Sequence, residues 1–329
     1  MSLVSVLLAG ALLGTGGGAP RHCAEERIPV SVREGGGVAG TVAATWCTPN
    51  NWSAGPHRTD VLVAGATYNR DYWDWPQHDY SYVHRTLRSG RATLNFDRLG
   101  TGRSSAPAGP PTDVVADAWV LHQVIGWVRH QRPTEVNVIG HSLGSIVVTK
   151  EAARWRDADR VVITGILHLP GVGTNSAGFA TSLYPAGLDP RFAGVDRTGY
   201  LTTLPGRRGP TFYDPRSADP EVIQRDEEHK DLATVGELAQ SVVELETPAL
   251  LNTTRRITAP VLLVMGATDN IFCNLAVDCR SAESVRTNEA PYYAGAARLD
   301  AVTVPDTAHN LTLHPSADRS FRAIDDWLR

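Results

Sequence analysis

Surplus positive charge is missing from this sequence. Lysine and arginine total 31 against 35 aspartates and glutamates, a formal net charge of −4. That leaves neither the electrostatic footprint of a nucleic-acid binder nor a polybasic patch for a membrane surface. Internal repeats and long low-complexity tracts are also missing, which excludes solenoids and disordered polar chains. The four cysteines show no Cys-x-x-Cys spacing, so no zinc site and no metal are expected. The apolar run Leu3 to Leu13 is too short for a spanning helix, which needs about 20 residues, and no stable membrane insertion is expected. What remains is ordinary globular composition, 42% hydrophobic and 20% charged over 329 residues. That is enough chain for one large domain carrying an insertion.

The N-terminus differs in kind. Leu3 to Leu13 leads into Gly14-Thr15-Gly16-Gly17-Gly18-Ala19-Pro20. This is the apolar core and small-residue cleavage zone of a secretory signal over residues 1–20, although no basic residue precedes it. A secreted or extracytoplasmic protein is expected, with a cytoplasmic one as the alternative. The cysteines agree with export. Of the three pairings that four cysteines allow, Cys23–Cys47 with Cys273–Cys279 closes the least chain; the alternative is four buried thiols.

Beyond that segment, short apolar strands alternate with helical stretches. Ile28 to Val32 and Thr41 to Trp46 read as a hairpin around Gly35-Gly36-Gly37. Val61–Gly65 and Ala92–Phe96 are continuous apolar strands, separated by an aromatic loop holding Tyr72, Trp73, Trp75, Tyr80 and Tyr82. Thr112–Arg129 has the periodicity of an amphipathic helix. Strands follow at Val136–Ile139 and Val161–Leu167. The rhythm then stops from Pro170 to Arg256, where helices are expected near Pro220–Leu232 and Val235–Glu246. It resumes with strands at Val261–Gly266 and Ala301–Val304 and a last helix through Phe321, Ile324, Trp327 and Leu328. Such alternation predicts a mostly parallel sheet with helices on both faces. The core then spans 28–169 and 257–329, and the 170–256 block is an insertion above the carboxyl ends of the strands, where such sheets bind ligands.

Gly140-His141-Ser142-Leu143-Gly144 breaks a strand and opens a helix, the context of a nucleophile elbow. The glycines suit a turn too tight for a Cβ, and the helix aims its positive end at the site. An activated serine needs a base, and the base an orienting acid. The loop after Val261–Met265 supplies Asp269, and the loop after Ala301–Val304 supplies His309. The chain order is therefore Ser142, Asp269, His309, as this type of sheet requires. His314 is a rival base, but it lies far along the loop beside Pro315. Asp306 is a rival acid, and His141 reads as structural.

On the elbow, Asp269, His309 and the turn Asp97-Arg98-Leu99-Gly100-Thr101-Gly102-Arg103-Ser104, the chain from Ile28 to Arg329 resembles the α/β-hydrolase superfamily. It looks most like exported actinobacterial-type serine hydrolases with a helical lid. The resemblance implies an α/β-hydrolase fold with a helical cap, no cofactor, and oxyanion donors at the backbone N–H groups of Ala66 and Leu143. It departs from the family at Ala64-Gly65, where members often carry His-Gly. Serine at position 142 separates it from dehalogenases and epoxide hydrolases, whose nucleophile is Asp. The expected activity is cleavage of a carboxylic ester, thioester or lactone in a small-molecule apolar acyl substrate, with medium or large acyl groups preferred over acetyl. The alternatives are a biosynthetic enzyme that releases, cyclises or eliminates a polyketide-type acyl group, and an inactive binding protein on the same fold.

Overall fold

The computed structural model describes residues 21–50, 52, 57–77, 79–107, 112–132, 134–168, 176–193, 197–273 and 276–329. The expected signal over 1–20 and the expected start of the insertion at Pro170 lie outside the described residues. Strands β1 (Arg21–Ser31) to β6 come first: β2 (Ala39–Pro49), β3 (Arg58–Val63), β4 (Ala92–Phe96), β5 (Glu135–His141) and β6 (Arg160–Thr164). The inserted segment carries β7 (Leu183–Pro185), β8 (Tyr200–Thr203) and β9 (Ala233–Thr234), and β10 (Val261–Gly266) and β11 (Leu299–Val304) close the chain's strand content. Eight strands form one sheet in the order β1-β2-β4-β3-β5-β6-β10-β11. β1 and β2 run antiparallel at one edge and the other six are parallel.

The parallel strands are apolar for the reason the sequence suggested. β4 and β10 are buried along their whole length and β3, β5 and β6 at all but the first residue, as expected where helices cover both faces. α1 (Tyr82–Arg88) packs with α9 (Ala317–Leu328), and α2 (Val114–Gln131) packs with α3 (Leu143–Arg154). Asp113 begins α2 by accepting the Ala116 N–H at 2.8 Å, which fits N-cap chemistry. On α9, Phe321, Ile324 and Leu328 are buried, while the half-buried Trp327 donates its indole N–H to Asp300 at 2.7 Å.

Three departures from the sequence reading have physical causes. First, β1 and β2 are eleven residues each, because the polar stretch Arg21–Arg27 continues the ladder at a sheet edge; Cys23 sits opposite Cys47 and bonds to it. Second, the aromatic loop contains helix α1. Ser81 caps it by accepting the His84 N–H at 2.9 Å, and Tyr82 is buried with its hydroxyl 3.0 Å from Asp60. Third, the inserted segment is not purely helical. It contains α4 (Ser176–Ala180), α5 (Arg208–Phe212), α6 (Pro220–His229) and α7 (Val235–Glu246), plus a three-stranded antiparallel sheet in the order β7-β8-β9. α6 ends at His229 rather than near Leu232 because the next residues bond elsewhere. The Asp231 N–H donates to the Thr67 carbonyl at 2.9 Å, and β9 pairs with β8.

Candidate active site

Ser142 is the residue before α3 and has φ 52° and ψ −122°. Left-handed backbone in a non-glycine residue is strained and persists only where the surroundings enforce it. Here they do. A Cβ on Gly140 would lie 2.5 Å from the Ser145 nitrogen, and one on Gly144 would lie 2.3 Å from the Val63 carbonyl oxygen. Only glycine therefore lets α3 start this close to β3 and β5. A serine at this helix position normally accepts a hydrogen bond from the first turn. Ser142 makes no such bond and is partly exposed, so its hydroxyl is free for another task. Its own N–H is held by the Thr164 carbonyl at 2.9 Å.

The acid and base arrive from the two loops named by the sequence. His309 Nδ1 donates to Asp269 Oδ2 at 2.9 Å, and both residues are buried. The other carboxylate oxygen accepts the Ile271 and Phe272 N–H groups at 2.8 and 3.2 Å, which fixes the carboxylate plane. The two loops are joined by the Thr268 N–H on the Thr307 carbonyl at 2.9 Å. With the proton on Nδ1, Nε2 of His309 is left as an acceptor. The His309 ring lies 4.9 Å from that of His141, the neighbour of Ser142, and stacks between Phe212 at 5.8 Å and Phe272 at 5.7 Å.

The rivals occupy other roles. His314 accepts the Asp214 N–H at Nε2 (3.2 Å) and donates from Nδ1 to the Asn310 carbonyl (2.8 Å), pinning the base loop. Asp306 is exposed and gives its carbonyl to Ser217 Oγ. His141 is fully buried, bonded to Thr164 Oγ1 at 3.0 Å and stacked on Tyr72 at 4.4 Å. Burial, then the neighbouring His309, lowers its pKa well below the ordinary histidine value, so it is a neutral spacer. Phe179 and Phe212 meet beside His309, whereas Trp73, Tyr80 and Tyr82 of the aromatic loop are buried in the core.

The expected oxyanion donors come from two elements. Ala66 lies beyond the end of β3 and Leu143 opens α3, and neither N–H finds an acceptor among the described residues. The segment around Ala66 is held by groups that the sequence did not single out. Arg98 donates to the carbonyls of Ala64 at 3.3 Å and Gly65 at 3.1 Å and pairs with Glu237 at the start of α7. Thr67, at φ 60°, donates its N–H to the Leu232 carbonyl at 3.3 Å. Arg208, fully buried on α5, reaches the Thr67 carbonyl and Oγ1 at 3.3 and 3.0 Å. Its guanidinium lies over the Tyr68 ring at 4.1 Å and beside Asp226 Oδ2 at 2.9 Å. Asp226 also accepts the hydroxyls of Tyr68 and Tyr213 at 2.8 and 2.9 Å. Only the Asp97–Ser104 turn hinted at any of this, through Arg98; Arg208 sits in a stretch with no periodic signal, and the helix expected near Pro220–Leu232 gave no sign that Asp226 would face it.

The second disulfide, Cys273–Cys279, stands next to the acid. The Cys273 N–H closes the loop on the Asp269 carbonyl at 3.1 Å. Because the ring is short, loop entropy limits its contribution to about 2 kcal/mol. Replacing both cysteines with serine should lower unfolding free energy by about that amount, with any larger deficit appearing in turnover as Asp269 drifts. Mass spectrometry should find no free thiol at either position in the native protein; free thiols at both would refute the pairing.

A strained serine and a buried His–Asp pair thus follow the ends of three parallel strands, β5, β10 and β11. Residues 61–319 match the alpha/beta hydrolase family, and the chain belongs to it. No curated protein matches the chain by sequence. Solved structures similar to it include an esterase from Thermogutta terrifontis with malate bound, 16% identical, covering 92% of this chain and 98% of the other at a TM-score of 0.58. Another is the esterase Pf2001 from Pyrococcus furiosus, 14% identical over 93% and 92% at 0.55. A third is the 2-hydroxy-6-oxo-6-phenylhexa-2,4-dienoate hydrolase of Rhodococcus sp. strain RHA1, 15% identical over 94% and 100% at 0.58.

Proposed function

We propose that this chain is a serine hydrolase that cleaves a carboxylic ester, thioester or lactone through an acyl-enzyme on Ser142. The observation that carries the reading is the buried 2.9 Å pair of His309 and Asp269 beside an elbow serine whose hydroxyl caps nothing. Ser142 Oγ attacks the acyl carbonyl as His309 Nε2 takes its proton. Asp269 holds the tautomer and faces the imidazolium that forms. The Ala66 and Leu143 N–H groups hold the developing oxyanion, aided by the positive end of α3. His309 then protonates the leaving group, and water, deprotonated by the same histidine, releases the acid.

The inserted segment acts as a cap that selects the acyl group. Phe179 and Phe212 belong to it and gather beside His309 with Phe272. An apolar wall favours apolar substrate carbon by about 0.8 kcal/mol per buried methylene. Specificity constants on a graded series of esters should therefore rise from acetate to medium or large acyl groups. A steady decline from acetate upward would overturn this. Chromatography of the products separates the runner-up reading: a cyclised or unsaturated product in place of the free acid would assign the site to acyl release by cyclisation or elimination. Two disulfides support an extracytoplasmic location, and no helix among the described residues is long and apolar enough to cross a membrane.

A further inference from the structure

We propose that His122, Glu151 and Asp157 form a binding site for a divalent transition-metal ion of the zinc type, on the far side of α3 from the elbow. His122 lies on α2, Glu151 near the end of α3, and Asp157 just beyond it, after a turn in which Arg156 has φ 56°. One ligand atom from each lies within 4.8 Å of the other two. His122 Nδ1 is 2.8 Å from Asp157 Oδ2 and 3.6 Å from Glu151 Oε1. Tetrahedral coordination with bonds of about 2.0–2.2 Å sets ligand atoms roughly 3.3–3.6 Å apart, so sub-ångström shifts bring the three atoms to bonding positions.

The second observation is the state of Glu151. It is fully buried and neither carboxylate oxygen has an N–H or O–H donor; its polar neighbours are His122 and the Asp157 carboxylate, whose Oδ1 is equally bare. A buried carboxylate is normally paired or bound to a metal. The guanidinium beside it, Arg129, is committed to the Asp157 carbonyl at 2.5 Å and the Asp159 carboxylate at 3.0 Å. The histidine is already oriented, stacked on Trp155 at 4.7 Å and tilted against Trp119 at 5.4 Å. His122 and Asp157 are partly exposed, which gives an ion a way in. One imidazole with two carboxylates suits zinc, cobalt or manganese better than calcium or magnesium, which prefer oxygen alone. Water fills the remaining coordination. The ion would tie the end of the nucleophile helix to α2.

The competing arrangement is a proton shared between Glu151 and Asp157, with no metal. Isothermal titration of the chelator-treated protein with Zn2+ separates the two, with Co2+ visible absorption as the second readout. One ion per chain should bind at low-micromolar affinity or tighter and raise the Tm. His122→Ala and Glu151→Gln should each weaken binding by roughly a hundredfold or more, since even the outer partners of metal ligands are worth about 10- to 100-fold. Both variants should retain wild-type ester turnover without metal. Glu151→Gln keeps the side-chain shape, and Asp157→Asn at a partly exposed position replaces either variant that does not fold. Absence of binding to the wild type, or equal affinity in wild type and variants, would overturn the proposal in favour of the shared proton or of an adventitious ion only.

Discussion

Ser142→Ala should lower turnover by up to about six orders of magnitude, roughly 8 kcal/mol of barrier, while leaving the protein folded. The size follows from how the site works. A serine hydroxyl is a poor nucleophile at neutral pH and reacts only with its base in place. His309→Ala should therefore cost nearly as much, and the double variant little more, because the residues act as a unit. Asp269→Ala should cost less, since the imidazole survives without its orienting partner. A fluorophosphonate probe should label wild-type protein at Ser142 and fail on His309→Ala. Near-normal turnover by Ser142→Ala would rule out covalent catalysis and leave His309 as a base for acid–base chemistry.

Asp226→Ala should remove about 3–5 kcal/mol of stability, the usual result of stripping one partner from a buried ion pair. Asp226 faces the Arg208 guanidinium and accepts two tyrosine hydroxyls, all buried. Its loss strands a charge and two phenols at once. The effect should also reach catalysis. Arg208 holds the Thr67 carbonyl and hydroxyl, one residue beyond the proposed donor Ala66. In protein that remains folded, kcat should fall with little change in KM, because donors to the oxyanion act in the transition state. Asp226→Asn, which keeps one acceptor, should be milder on both counts. Urea unfolding within 1 kcal/mol of wild type for Asp226→Ala would show that the network carries little weight.

The contrast between these two predictions shows what the sequence could reveal. The elbow and both partner loops were readable because each follows an apolar strand in a fixed chain order. The Arg208–Asp226–Tyr68 group was not. Arg208 and Thr67 are 141 residues apart, and Arg208 in an irregular stretch and Asp226 on a charge-rich expected helix both look like surface charges. The same limit applies to β1, whose polar first half lies at a sheet edge and shows no apolar alternation, and to β7–β9, of two to four residues each. Asp306 is a rival acid on paper, and the 2.9 Å contact to His309 belongs to the expected Asp269. Tyr82 reads as a loop residue, but Ser81 starts a helix there and Asp60 gives its hydroxyl a buried partner.

The backbone bonds from Asp231 and Leu232 to Thr67 bear on how substrate enters. A cap that swung away as a rigid body would break both bonds. It would also pull Arg208 off Thr67 and Glu237 off Arg98. Backbone hydrogen bonds are worth about 0.5–1.5 kcal/mol each net and those to charged groups about 1.5–3, and every 1.4 kcal/mol is about tenfold in population. An open form would then be rarer than roughly one molecule in a hundred. If entry does not use that swing, chemistry rather than opening limits turnover, and kcat on accepted substrates should be insensitive to solvent viscosity; a kcat that falls with viscosity would point to opening.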